Sequence, residues 1–135
     1  VSWAFASLVM VVIAGCGDQS GLNLATVQGT VTYNGNPVDH GQVVFIPTEG
    51  VGGPSAVGEI HSDGSYQMRT ADFEGAAVGR HKVTVHSRRP LRPEEEKSLI
   101  IPELLIPDRY ANELDTPLAI DVEPGVNQFD IELTD

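Results

Sequence analysis

Four histidines, at positions 40, 61, 81 and 86, carry the side chains best suited to metal ligation or proton transfer. A metal site needs converging ligands, and its usual trace is a short pair such as His-x-His or an HExxH run. Neither occurs here. His81 and His86 differ by an odd number, so on one strand they point to opposite faces, and His40 stands beside a turn glycine. The spacing predicts surface or rim histidines, with no metal ion and no cofactor. Asp63-Gly64 lacks the acidic array of a calcium loop and reads as a turn. Ser62, Ser65, Ser87 and Ser98 lack a nucleophile-elbow context, and Gly52-Gly53 lacks the lysine of a phosphate cradle. No catalytic residue is predicted, and the chain reads as a non-enzyme.

Charge supplies a second candidate. The 135 residues hold 8 Lys+Arg against 19 Asp+Glu, a net charge of −11. Nucleic-acid binding needs a basic footprint and is disfavoured, as is adsorption to anionic lipid by charge alone. Yet Arg80, Lys82, Arg88, Arg89 and Arg92 cluster, with no acid between Gly75 and Pro93. Arg88, Arg89 and Arg92 lie where strand-like alternation has ended, so their side chains are expected to be free of core packing. Two readings stand: a solvated sheet end, or a docking patch for an acidic envelope protein or polymer.

The third candidate is the sole cysteine. Residues 1–15 contain no charge and only two polar side chains, Ser2 and Ser7. The run is too short to span a bilayer as a helix and fits the apolar core of a secretory signal. Ile13-Ala14-Gly15-Cys16 closely resembles the bacterial lipobox. That resemblance implies diacylglyceryl transfer to the Cys16 sulfur, cleavage before it, and acylation of the new amino terminus by a chain such as palmitate. Val1 and the lack of a basic residue before Cys16 depart from the usual signal opening. Two or three acyl chains anchor stably where one does not, so the membrane becomes a partner through Cys16. The polar stretch after it reads as a tether. The expected division is signal peptide 1–15, lipidated Cys16 and tether 16–25, and one domain 26–135. A single cysteine also excludes an intrachain disulfide framework.

The elements that must position these groups are strands. Fourteen Gly and nine Pro are a heavy load of helix breakers, and from Thr26 onward the pattern is alternation. Val27, Gly29, Val31 and Tyr33 share a face, and Asn34-Gly35 marks a tight turn. Val43–Ile46 is a continuous apolar run, expected to be buried on both sides. Ala56–His61 and Tyr66–Thr70 flank an Asp-Gly bend. Arg80–His86, Leu118–Val122 and Phe129–Leu133 alternate as well. About seven short strands predict a β-sandwich. Its core is expected to contain Val31, Val43, Phe45, Val83, Val85, Ile120, Phe129 and Ile131. Residues 87–117 form a long Pro-rich connection, with a short helix expected around Glu94–Leu99.

Three blocks carry a family resemblance. Val27–Val38 followed by Gly41–Pro47 resembles the opening of carboxypeptidase-regulatory-like, transthyretin-type (prealbumin-like) domains. Asp63-Gly64-Ser65-Tyr66, with Gly75 and Val78–Val85, resembles their central pair of motifs. Ile106–Tyr110, Thr116–Leu118 and Gly125–Ile131 are similar to the ending of small planctomycete-type lipoproteins. The corner at Val78-Gly79-Arg80-His81 departs from the pattern by lacking a proline and an aromatic. The resemblance implies an all-β, seven-stranded, Ig-like sandwich without catalysis. The expected function is a lipid-anchored cell-envelope protein, on the periplasmic or outer-surface side, acting as a structural or protein-interaction module. The alternative is a small-ligand or glycan-binding domain displayed at the membrane surface, against which the scarcity of aromatics counts.

Overall fold

A computed structural model describes residues 23–48 and 50–135. The signal segment, Cys16 and the tether up to residue 22 lie outside the described residues.

The chain is predominantly β. Its elements are β1 (Leu24–Tyr33), β2 (Asn36–Pro37), β3 (Gln42–Pro47), β4 (Ala56–Glu59), β5 (Ser65–Thr70), β6 (Phe73–Glu74), β7 (Ala76–Ala77), β8 (Gly79–His86), β9 (Ala119–Val122), β10 (Val126–Gln128) and β11 (Ile131–Leu133). A 3-10 turn, Pro93–Glu95, and one helical turn, α1 (Asp108–Ala111), interrupt them. The main ladder runs β10-β1-β5-β4-β3-β8-β9. It is mostly antiparallel, but β10 and β11 run parallel to β1 in one register, Thr26 opposite Val126 and Val31 opposite Ile131. β7 pairs with the start of β1, while β8, directly after it, pairs with β3 and β9. One stretch of chain thereby touches both ends of the ladder, and the sheet curls on itself around a single core.

Alternation explains that core. In β1, Ala25, Val27, Gly29 and Val31 face inward, because successive strand side chains point to opposite faces. β1 starts at Leu24, two residues before the domain boundary read from the sequence. The hairpin at Asn34-Gly35 forms as expected, with both residues at positive φ (+49° and +83°). Val43 and Phe45 are fully buried, but Val44 and Ile46 are only half-buried. The run at 43–46 thus has one core face, not two, because its outer side lies on the open surface of the sheet.

Of the expected core, Val31, Val43, Phe45, Val83, Val85 and Ile131 are buried, whereas Ile120 and Phe129 are half-buried and pack against the cluster. Phe129 is displaced for a definite reason. Between β10 and β11 the chain crosses directly over Gly29, where a Cβ would lie 1.9 Å from the Phe129 carbonyl oxygen. Asp130 stands in for the broken ladder, accepting from the Thr30 backbone N–H (3.1 Å) and hydroxyl (3.2 Å). The buried Tyr66 hydroxyl donates to the Phe129 carbonyl. Its phenol pKa is raised, first by burial and then by Asp130.

Candidate functional site

The segment after β8 is built rather than loose. The Leu105 N–H donates to the carbonyl of buried Ser87 (2.8 Å), and the Arg89 N–H to the Glu103 carbonyl (3.0 Å). An antiparallel bridge joins Arg88 to Leu104 between them. This short ladder closes a loop over residues 90–102, in which Pro90, Pro93 and Pro102 exclude regular structure. The helix expected near Glu94–Leu99 is reduced to the single 3-10 turn Pro93–Glu95.

Arg89 organises the loop. Its Nε donates to Glu103 (2.7 Å), and its two Nη atoms donate to Glu95 (3.0 and 3.3 Å). Such forked pairs fix orientation as well as distance. Glu95 also accepts from the Arg92 backbone N–H (2.9 Å), and the Ser98 hydroxyl donates to the Glu95 carbonyl (2.6 Å). The Arg89 pair holds the Glu95 and Glu103 carboxyls below the usual carboxylate range. Arg88 donates to the Pro102 carbonyl (2.8 Å).

The three arginines of the sequence-derived patch therefore differ. Arg89 is outside the hydrophobic core but is an internal tie of the loop, so it is not available as a docking cation in the way the cluster in the sequence suggests. Arg88 is half-committed through one nitrogen. Arg92 makes no side-chain hydrogen bond or ion pair among the described residues. Across 87–105, four bases (Arg88, Arg89, Arg92, Lys97) meet four acids (Glu94, Glu95, Glu96, Glu103). The stretch is neutral in a strongly acidic chain.

The loop displays aliphatic side chains. Leu99 is fully exposed (103%), Ile101 76% exposed, and Leu91, Ile100 and Leu105 are also exposed. Along the apolar run 99–106, Leu104 is half-buried and Ile106 is buried, while the other Leu and Ile side chains are exposed.

The histidines scatter. His40 clamps the base of the loop, Nε2 to the Arg88 carbonyl (2.7 Å) and Nδ1 to Asp39 (2.6 Å). The backbone contact, then Asp39, raises its pKa, since both contacts favour the doubly protonated ring. His81 is buried beside Phe45, with Nε2 on the Ala77 carbonyl (2.7 Å). His86 faces the other way, toward Thr84. Among the described residues no three His, Cys, Asp or Glu side chains gather as metal ligands. Asp63 accepts from the Ser65 N–H and hydroxyl, so this Asp-Gly is a turn device.

A concave surface lies on the outer face of the sheet. Depressions of about 540 and 430 Å³ share His61 and Gln67. Glu59, Arg69 and Gln42 line the first, and Gln28, Thr30 and Gln128 the second. Among the residues lining this polar groove, Tyr66 is the one Phe, Tyr or Trp, and it is buried.

A scan against protein-family models finds no match, and no curated protein or solved structure is found to match the chain.

Proposed function

We propose that this is a non-catalytic, lipid-anchored cell-envelope protein whose β domain is a structural or protein-interaction module. The reading takes the curled sheet as a transthyretin-like sandwich of the carboxypeptidase-regulatory-like kind. It takes Cys16 as the acylated attachment point, on the periplasmic or outer-surface side of a membrane. The observation that carries it is the loop at 87–105, where a hydrogen-bonded platform centred on Arg89 holds aliphatic side chains out in solvent. Ordering a 19-residue excursion costs conformational entropy, and exposing Leu and Ile gains nothing in the isolated chain. A contact surface accounts for both.

Mass spectrometry of the native protein tests the anchor. A modified Cys16 amino terminus is expected, and Cys16→Ala should release the protein from membranes or leave it unprocessed. An unmodified terminus elsewhere overturns this part. An acidic partner would meet Arg92 first, so Arg92→Ser, which leaves the Arg89 tie to Glu95 and Glu103 in place, should weaken envelope co-purification, and wild-type binding should fall as salt rises. Unchanged partners and salt dependence refute docking through Arg92.

The groove favours a second reading, a small-ligand or glycan-binding domain. Side-chain amides, a hydroxyl and an imidazole suit neutral polyhydroxylated ligands. Titration with neutral oligosaccharides should then shift the NMR signals of Gln28, His61 and Gln67. No shift at millimolar ligand removes this alternative.

A further inference from the structure

We infer that the tip of the 87–105 loop is a self-association surface, its occupant a second copy of this chain. The inference rests on the interaction-module reading and names the partner of that surface. A two-fold contact places one patch against itself, so the patch must be complementary to itself in shape and charge. The tip meets the charge condition. The stretch that carries exposed Leu91, Leu99, Ile100 and Ile101 also carries Glu94, Glu96, Arg92 and Lys97, all exposed and without side-chain ion pairs among the described residues. Two bases and two acids accompany the aliphatic residues in equal number, so a two-fold contact can set Arg92 and Lys97 of one copy against Glu94 and Glu96 of the other.

Long-range charge points the same way. Two chains of net charge −11 repel over most approaches, but the loop is neutral. It is also an outlying part of the fold. The described chain begins where Leu24 meets Ala77, just before β8, and the loop leaves after His86 at the far end of that strand. At about 3.3 Å per residue the two ends of β8 are roughly 23 Å apart, some three Debye lengths at physiological salt. Contact through the tips therefore keeps the Leu24 ends of the two β1 strands clear of one another. Confinement to a membrane would raise the effective concentration and favour even a weak contact.

The test uses the full chain purified in detergent, followed by sedimentation velocity over a concentration series. A concentration-dependent dimer is expected. Replacing Leu99, Ile100 and Ile101 together by Ser should weaken it at least tenfold without changing the circular dichroism spectrum. Because a surface change can act indirectly, a charge swap supplies the second arm. Glu94→Lys/Glu96→Lys and Arg92→Glu/Lys97→Glu should each weaken self-association, and mixing the two should restore dimers as heterodimers. A monomer at every concentration overturns the inference. So does a dimer indifferent to both sets of changes. If the chain is monomeric while a photo-crosslinker at position 100 captures a different protein or lipid in intact envelopes, the second copy is refuted and the interaction-module reading stands. Capture of nothing, with monomers throughout, removes both.

Discussion

Replacing Phe45 by Ala probes the core where its geometry is most specific. The Phe45 ring is completely buried (0% exposed) and meets Phe129 edge-on, centroids 6.2 Å apart at 66°. A fully buried Phe→Ala change costs about 3–5 kcal/mol, the transfer loss plus a residual cavity. Of that, about 0.5–1.5 kcal/mol belongs to the edge-to-face contact. Phe129 is half-buried, so Phe129→Ala should cost about half as much. The double variant should then lose less than the two singles added together, by about the value of the ring pair. Urea unfolding followed by tryptophan-independent circular dichroism reads all three. With a slope of about 2 kcal/mol per molar, Phe45→Ala should lower the midpoint by roughly 2 M. A loss under about 1 kcal/mol for Phe45, or equal losses for the two phenylalanines, would show that the burial difference between them is wrong. Strict additivity would remove the ring contact alone.

Gly29→Ala should be unusually damaging for a methyl group, because the new Cβ falls 1.9 Å from the Phe129 oxygen and 2.6 Å from its carbon. A loss on the order of 3 kcal/mol is expected, since backbone rather than a side-chain end must move; a thermal midpoint within 2–3 °C of wild type, about 0.5 kcal/mol, contradicts the crossover. Tyr66→Phe keeps the ring and removes only the donor to the Phe129 carbonyl. About 1–3 kcal/mol should be lost, and a neutral outcome would mean that water replaces the hydroxyl. For His40 the folded pKa is raised, so its contribution is complete below the unfolded value of about 6.5 and disappears as pH rises through the higher folded value. The His40 ring should therefore titrate above about 6.5 by NMR, with the Arg88–Leu104 bridge loosening on the alkaline side; a midpoint at or below that value removes the clamp.

Much of the sheet is legible because its signals are local. Val27, Gly29 and Val31 alternate with exposed residues, and Asn34-Gly35 supplies the positive φ of its turn. Val44 and Ile46 mislead because β-branched residues suit the outer side of a central strand as well as a core. β2 and β6 are two-residue returns of tight hairpins onto β1 and β5, too short to show an alternation, and β7 is a two-residue pair held by the start of β1, about 50 positions earlier, so no run of residues announces it. Phe129 obeys the strand alternation in the sequence yet sits in a crossover. The cause is the missing side chain at Gly29, 100 residues earlier, which lets the backbone pass. Its glycine is visible in the sequence, but its partner is not.

The loop was opaque for an electrostatic reason. Arg88, Arg89 and Arg92 are adjacent in sequence and suggest a basic field, but folding brings Glu103 from 14 positions beyond Arg89 and Glu95 from six beyond it. No helical or strand period produces those spacings; the 3-10 turn and the Ser87–Leu105 ladder do. Once the arginine is consumed internally, the electrostatic argument for an acidic partner narrows to Arg92 and the free side of Arg88. The apolar argument grows at the same time, because the geometry that neutralises the loop also turns Leu99, Ile100 and Ile101 outward. Burying such side chains is worth about 1.5–3 kcal/mol each, whereas exposed ion pairs contribute about 0–1 kcal/mol. Any binding energy at this surface should therefore come chiefly from the aliphatic tip, with the exposed charges of the same stretch, Arg92, Glu94, Glu96 and Lys97, selecting which surface approaches.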